Sequence, residues 1–333
     1  MPAIPQTILV APDSFKGTFT ARQVAAAIGA GLEAAGRPVD LCPLADGGEG
    51  TLEVLLEALE GEEVSALVED PLGREIEASF GLVEEGRGGR VAAIVEMARA
   101  SGLTLVAPDE RDPVAASTSG TGQLILAAAA AGAQTVYLGV GGSATTDGGA
   151  GALRAIRRAG GIGRTRLVVL CDVRTPFEDA ARIYGPQKGA TPDQVARLNR
   201  RLRELARRLP RDPRGIPMTG AAGGLAGGLW AELGAELVPG AAFALDLLDF
   251  DHRMRAAHAV VTGEGRLDAQ SLAGKAVSEV ATRARQSGVP CHAIVGEREL
   301  DAFGARILDL QAVLEARTPR ALESAGGRLA GLV

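Results

Sequence analysis

Lysine is nearly absent from this chain. Among 35 basic residues only Lys16, Lys188 and Lys275 are lysines, each in a glycine setting: Phe15-Lys16-Gly17, Gln187-Lys188-Gly189 and Gly274-Lys275-Ala276. Arginine fills every other basic position. A retained lysine therefore marks a place for a compact ammonium, where the wide planar guanidinium does not serve. In a tight glycine loop the usual reason is an anionic phosphate. The alternative, chance survival in an arginine-biased genome, stays open.

Other scarcities narrow the function classes. Aromatic residues make up only 3% of a chain that is 46% hydrophobic, so its core is aliphatic. The three cysteines, Cys42, Cys171 and Cys291, are far apart, odd in number and set in or at the end of apolar strand-like runs. That suits buried thiols in a reducing cytoplasm and excludes a disulfide framework or a zinc site. His252, His258 and His292 have no metal-ligand spacing, and His292, within an apolar strand, reads as a core residue. No Gly-x-Ser-x-Gly nucleophile elbow occurs. No apolar run approaches membrane-spanning length, the alanine-rich stretch Leu124–Ala131 being too short. The opening residues lack a signal-peptide pattern, so a cytoplasmic location is expected. With a net charge of −6 and a pI near 5.3, the chain lacks the basic field of a nucleic-acid binder. The arginine-rich stretch from Arg197 to Arg208 reads as a solvated helix face.

What is present is organised as α/β units. At 333 residues the chain has room for two domains. The start reads β-α-β-α: strand Thr7–Ala11, helix Thr20–Ala35 with Thr20 as N-cap, strand Val39–Pro43 and helix Gly50–Leu59. The end resumes that rhythm with strand Ala259–Thr262, helix Ser271–Gln286, strand Cys291–Val295, a helix near Ala302–Ile307, strand Gln311–Leu314 and helix Arg320–Leu329. Five β-α units are the number in a flavodoxin-like sheet. The middle differs. Gly61–Phe80 reads as extended strands around a Pro-Leu-Gly turn. Ala92–Met97 follows, then a helix at Leu124–Ala131, strand Thr135–Val140, a helix from Gly149 to Arg158, strand Leu167–Cys171 and the basic helix Pro192–Arg208. The expectation is a flavodoxin-like parallel-sheet domain, residues 1–62 plus 252–333, interrupted by an inserted α/β domain, residues 63–251. A ligand cleft is expected between the two domains.

Ligands of open parallel sheets bind beyond the carboxyl ends of the strands, and these ends are unusually polar here. The first strand is followed by Asp13-Ser14-Phe15-Lys16-Gly17, the second by Asp46-Gly47-Gly48-Glu49-Gly50, and the Ala259 strand by Gly263-Glu264-Gly265-Arg266-Leu267-Asp268. Glycines allow close backbone approach, and amides at helix starts hold phosphate. The carboxylates can hold Mg²⁺ or act as a base. The structural alternative is that Asp13, Ser14 and Asp46 simply begin helices. In the middle segment, the loop from Gly139 through Gly142, Ser143, Thr145 and Asp147 to Gly151 also follows a strand and opens a helix. It resembles a phosphate cradle in mechanism but matches neither the P-loop nor the dinucleotide fingerprint. Asp172 ends another strand, Lys188 follows in Gly185-Pro186-Gln187-Lys188, and the glycine run 220–228 is open to either ligand contact or tight packing. Acidic, lysine-bearing glycine loops without a nucleophile or redox motif point to phosphoryl transfer.

Seven motifs, APDSFKG, ADGGEGT, SGTGQLI, GVGGSATTDGGAG, GPQKGA, AAGGLAGG and TGEGRLDAQSLAGK, occur in this order between about Ile8 and Gly296. Together they resemble the bacterial glycerate kinase family that forms 2-phosphoglycerate. The resemblance implies ATP-dependent phosphorylation of D-glycerate with Mg²⁺ on two α/β domains around a cleft. On that footing Lys16 and the amides near Gly47, Gly48, Gly142 and Ser143 hold phosphate oxygens. Ser14, Thr145, Asp147, Lys188 and Glu264 join the nucleotide-binding set. Asp46 or Asp268 ligates Mg²⁺, the other or Asp172 accepts the hydroxyl proton, and Arg266 grips the glycerate carboxylate. A kinase for another hydroxy acid and a non-catalytic sensor on the same fold are the competing readings; a homodimer is an open option. Two loops depart from the family pattern, with a shortened connection at Gly160–Arg166 and a short loop at Arg174–Ala181. The likeness fades after Gly296.

Overall fold

The computed structural model describes residues 7–85, 89–272 and 275–333. The chain divides into two compact units, Met1–Asp46 with Ala241–Val333, and Gly47–Gly240. The chain thus changes unit at 46/47 and 240/241, earlier than the 62/63 and 251/252 expected. The reason lies in two helices. Thr51–Ala58 packs on the second unit's sheet, where Gly61 and Gly81 make room for the Leu56 side chain. At the other junction, Arg283 of the first unit's helix Ala276–Ser287 is paired with Asp246 and Asp251 at 2.6 and 3.3 Å.

The first unit is a five-stranded parallel sheet. Numbered along the chain, its strands are β1 (Ile8–Pro12), β2 (Val39–Leu41), β9 (Ala259–Gly263), β11 (Cys291–Val295) and β13 (Leu310–Glu315), in the order β13-β11-β9-β1-β2. By order of appearance within the unit this is 2-1-3-4-5, the flavodoxin-like arrangement. β1, β9 and β11 are buried along their whole length, as central parallel strands covered on both faces must be. Helix Ala21–Ala34 begins at Thr20 with a full capping box, Thr20 accepting from the Gln23 amide and Gln23 accepting from the Thr20 amide. Val24, Ile28 and Leu32 on one face join Ile8 and Val10 in the core. This helix crosses Pro319–Leu329 at very short range, because a Cβ on Gly31 would lie 1.9 Å from the Glu323 carbonyl oxygen. A short parallel pair, β10 (Arg266–Leu267) and β12 (Glu297–Arg298), extends the loops after β9 and β11. The helix expected from Ser271 is a 3₁₀ turn, Ala269–Leu272, followed by helix Ala276–Ser287. Gly274, the glycine before Lys275, lies outside the described residues.

The second unit carries a six-stranded mixed sheet, β3 (Glu62–Glu69), β4 (Glu75–Glu85), β5 (Arg90–Glu96), β6 (Thr135–Gly139), β7 (Arg166–Cys171) and β8 (Glu236–Pro239), in that order across the sheet. β3 and β4 form an antiparallel hairpin whose turn is tied by Asp70 Oδ1, which accepts the Leu72 and Arg74 amides. β5 to β8 are parallel. The helix expected from Leu124 begins five residues earlier, at Ser119. Gly120 and Gly122 are tolerated within this helix despite their poor helix propensity because a Cβ would meet the Glu69 and Ala152 carbonyl oxygens at 1.8 and 2.7 Å. Helix Pro192–Ala206 buries Leu198, Leu202 and Ala206 and exposes Arg197, Arg200 and Arg203. All three cysteines are buried and free. Among the described residues no helix is long and apolar enough to cross a membrane.

Candidate functional site

In the first unit all five parallel strands deliver their carboxyl ends to one edge, and a cavity of about 470 Å³ opens there. The loop after β1 does not start a helix. The Asp13 amide donates to Gly263 O, Asp13 Oδ1 accepts the Ser14 amide at 2.6 Å, and the chain turns over Gly17 before Thr20 caps the helix. The loop after β2 follows β1 through Cys42 and Leu44, whose amides bond Val10 O and Pro12 O. This brings Asp46 to the cavity only 2% exposed, with Lys16 Nζ 3.4 Å from its Oδ2. The next helix starts at Thr51 behind Gly50, so neither Asp13 nor Asp46 serves as an N-cap. The loop after β9 can close against its neighbours because it is glycine-rich. A Cβ on Gly263 would lie 2.2 Å from Ile294 O, and one on Gly296 2.5 Å from Gly265 O.

Ser14, Lys16, Asp46, Glu264, Arg266 and Asp268 therefore line one cavity. Asp13 and Lys275, outside the candidate set, line it too, as do Glu297 and Arg317. No motif marks Arg317. The signal that could have found it is topological, since it lies beyond the carboxyl end of β13.

The electrostatics are those of crowded carboxylates. Burial, reinforced by Asp46 and opposed by Lys16, pushes Asp13 up to about 8. Burial likewise raises Glu264 to about 7, against the Ser271 hydroxyl and Lys275, which favour its charged form. Glu264 is 7% exposed and its Oε1 has no hydrogen-bond partner. Two candidates carry structural duties as well. Asp268 Oδ1 accepts the Gln270 amide at 2.7 Å and so opens the 3₁₀ turn. The exposed Arg266 guanidinium faces Glu297 and Glu299 at 3.6 and 3.3 Å. A substrate carboxylate at Arg266 has to compete with both.

Gly47, Gly48, Gly142, Ser143, Thr145, Asp147, Asp172 and Lys188 belong to the second unit. Gly47 and Gly48 sit backbone to backbone with the loop after β6, where Gly141 N donates to Gly47 O at 3.2 Å. Gly142 is exposed at φ +72°, and Ser143 beside it is half-buried. Beneath them Lys188 is 6% exposed, its Nζ donating to Ser143 Oγ at 2.8 Å and to Thr145 O. Burial, opposed by Asp147, pulls Lys188 down to about 7. Asp147 is turned inward. Its carboxylate accepts the amides of Thr118, Gly149 and Gly151 and the Thr118 hydroxyl. The glycine run 220–228 serves packing, since a Cβ on Gly223 would lie 2.1 Å from Thr145 O and one on Gly228 2.2 Å from Gly148 O. Asp172 stands half-buried just beyond β7 and is not among the residues lining the first unit's cavity.

Among the described residues no three His, Cys, Asp or Glu side chains are grouped to hold a metal ion. Mg²⁺ does not require such a cage. It usually takes one or two carboxylates and completes its shell with water and substrate phosphate. The unpartnered Glu264 oxygen and the mutual repulsion of Asp13, Asp46 and Glu264 leave this corner short of positive charge, which fits a cation brought in with phosphate.

Comparison with known proteins places these features in context. The profile of the Glycerate kinase family matches residues 8–159 and 157–326. The match runs past Gly296, where the motif likeness fades. The glycerate kinase of Halalkalibacterium halodurans is 42% identical over 327 residues, covering 87% of this chain and 85% of that protein. The glycerate 2-kinase of Escherichia coli is 37% identical over 326 residues, covering 87% and 84%. A solved Salmonella typhimurium LT2 structure, provisionally assigned as glycerate kinase 2, superimposes with a TM-score of 0.82 at 33% identity, covering 99% of this chain and 98% of that one.

Proposed function

Because this chain is a kinase of the glycerate kinase family, we propose that it phosphorylates D-glycerate at the 2-hydroxyl, using ATP and Mg²⁺ and yielding 2-phosphoglycerate. The observation that carries this reading is the cavity at the carboxyl ends of the first unit's strands, where Lys16 reaches Asp46 beside buried Asp13 and Glu264. Phosphoryl transfer asks the protein for positioning and charge stabilisation more than for covalent chemistry. Lys16, half exposed at the cavity mouth and paired with Asp46, would meet a phosphate oxygen with its ammonium. In the first unit Ser14 would supply a neutral donor to phosphate, and in the second the amides near Gly47, Gly48, Gly142 and Ser143 are read as a phosphate cradle of their own. Asp46 or Asp268 would hold Mg²⁺. When bound, the ion neutralises charge on the phosphate oxygens. Arg266 meets the glycerate carboxylate, with Lys275 as a second cation lining the same cavity. Whichever of Asp46 and Asp268 does not hold the ion would accept the hydroxyl proton, with Asp172 of the second unit as the alternative. Three free buried thiols support a reducing, cytoplasmic setting.

The test is ADP release measured over a panel of small hydroxy acids, with ³¹P NMR of the product. Turnover should require ATP, Mg²⁺ and D-glycerate together, with phosphate on the secondary hydroxyl. Clean 3-phosphoglycerate overturns the product assignment, and no turnover with any hydroxy acid leaves a ligand sensor.

A further inference from the structure

We propose that Lys188 is a positioning residue that acts through Ser143, and that binding of a phosphate group at the Gly142–Ser143 loop is coupled to proton uptake by this lysine. The inference rests on the reading of that loop as a phosphate cradle.

Lys188 ends a 3₁₀ turn, Pro186–Lys188, and the chain leaves it through Gly189 at φ +91°. Its side chain is directed inward, and two of its three ammonium hydrogens are committed, to Ser143 Oγ at 2.8 Å and to Thr145 O. Among the described residues no carboxylate bonds it. The charged group that acts on it is Asp147, whose oxygens are occupied by Thr118, Gly149 and Gly151. On the other side the chain at Arg111 passes Gly189, with the Arg111 Cβ at 3.8 Å from where a Gly189 side chain would begin. A buried ammonium with neutral partners is a costly arrangement. Its amine form is correspondingly accessible, in keeping with a value near 7.

The direction of the Ser143 hydrogen bond then depends on the charge of Lys188. An ammonium can only donate. When Lys188 is charged, Ser143 Oγ accepts from it, and the serine hydrogen must be given elsewhere, toward the exposed side at Gly142. When Lys188 is neutral, its lone pair can accept that same hydrogen and draw it inward. An anion at the loop needs the outward donor and is attracted by the charge below. It therefore selects the protonated state, and by linkage its binding takes up a proton. A cation has no such use for the arrangement.

The experiment is isothermal titration of the full chain with pyrophosphate and, separately, ATP at pH 8, in two buffers of different ionisation enthalpy. The expected result is uptake of roughly half a proton or more per ligand bound. Ser143→Ala removes the relay without disturbing the buried lysine's own fold contact to Thr145. It should weaken binding by about tenfold, the order of a lost charge-assisted hydrogen bond, and abolish most of the uptake. Binding without proton exchange, Ser143→Ala with unchanged affinity and uptake, or binding of neither probe overturns the inference. Glycerate-dependent ADP release is measured on the same preparation. Proton-linked pyrophosphate binding without that turnover would retain the inference and reject the glycerate kinase reaction.

Discussion

Asp147→Asn separates a structural carboxylate from a ligand-binding one. The side chain is 1% exposed. Its Oδ2 accepts the Thr118 amide at 3.0 Å, the Gly151 amide at 2.9 Å and the Thr118 hydroxyl at 2.9 Å, and its Oδ1 accepts the Gly149 amide at 3.0 Å. Asparagine keeps one acceptor oxygen and replaces the other with a donor. Placing the new NH₂ at the Oδ1 position is the cheaper choice, because it sets a donor against the Gly149 amide alone. The opposite placement strands both Thr118 and Gly151. Even the cheaper choice leaves a buried amide unsatisfied, at about 1–3 kcal/mol, and removes charge assistance from the remaining bonds, each worth about 1.5–3 kcal/mol when charged. A total near 3 kcal/mol is expected. At about 2–4 °C per kcal/mol for a domain of this size, the melting temperature should fall by roughly 6–12 °C. The assay is a far-ultraviolet circular dichroism melt, paired with kinetics at a temperature where the variant is folded. Unchanged melting with activity lost would refute the structural assignment and return Asp147 to the phosphate-binding set.

Three further outcomes are expected. Lys16→Arg preserves charge but not the compact ammonium beside Asp46, and kcat/KM should fall by about tenfold or more, as for a barrier change near 1.4 kcal/mol; wild-type kinetics would mean that the lysine is incidental. Gly31→Ala forces a methyl into the Glu323 carbonyl at 1.9 Å, so the urea midpoint should drop by the equivalent of about 3 kcal/mol, the upper range for overpacking, and an unchanged midpoint would show that the helices separate freely. Lys188, lowered from 10.5 to about 7 in the folded chain, binds fewer protons folded than unfolded between those values, so its contribution to stability rises with pH across that window and is flat below it. Melts of the wild type and Lys188→Met from pH 6 to 10 should diverge in that sense, and parallel curves would remove the titration of Lys188 from the account.

The parts of the fold that were legible are those set by local chemistry. An apolar run such as Ile8–Pro12 can be satisfied only as a covered parallel strand, and Thr20 with Gln23 three residues on can close a capping box within one turn. Once the strands are placed, the topology fixes which loops share an edge, which is why Lys16, Asp46, Glu264, Arg266 and Asp268 were found together. What stayed hidden depends on partners remote in sequence. A glycine marks a missing Cβ, but phosphate approach and backbone packing both require that absence. Gly120 meets Glu69 and Gly223 meets Thr145, contacts that no local window contains. A loop carboxylate accepts hydrogen bonds equally from a ligand or from the chain. Asp147 is taken by Thr118, 29 residues away. The unit boundary moved for the same reason, since the Thr51–Ala58 helix follows β2 in sequence but packs on strands that come after it.

Lysine scarcity shows both the reach and the limit of such reading. Rarity beside glycine singles out positions where an ammonium is expected, and both Lys16 and Lys188 are bonded through theirs. It does not say what the ammonium is for. Lys16 is 54% exposed by side chain and sits in water beside Asp46, so it can exchange that partner for a phosphate at little desolvation cost. Lys188 is 6% exposed and has no such exchange open to it. Any effect it has on a ligand must pass through Ser143 or through its own charge state. The same residue type in two glycine loops is thereby assigned two different tasks, and the assignment comes from burial, which composition does not carry. Substituting arginine tests the difference directly. At position 16 the wider group has solvent to occupy and the loss should appear in the rate, whereas at position 188 it has no room and the loss should appear first in folding.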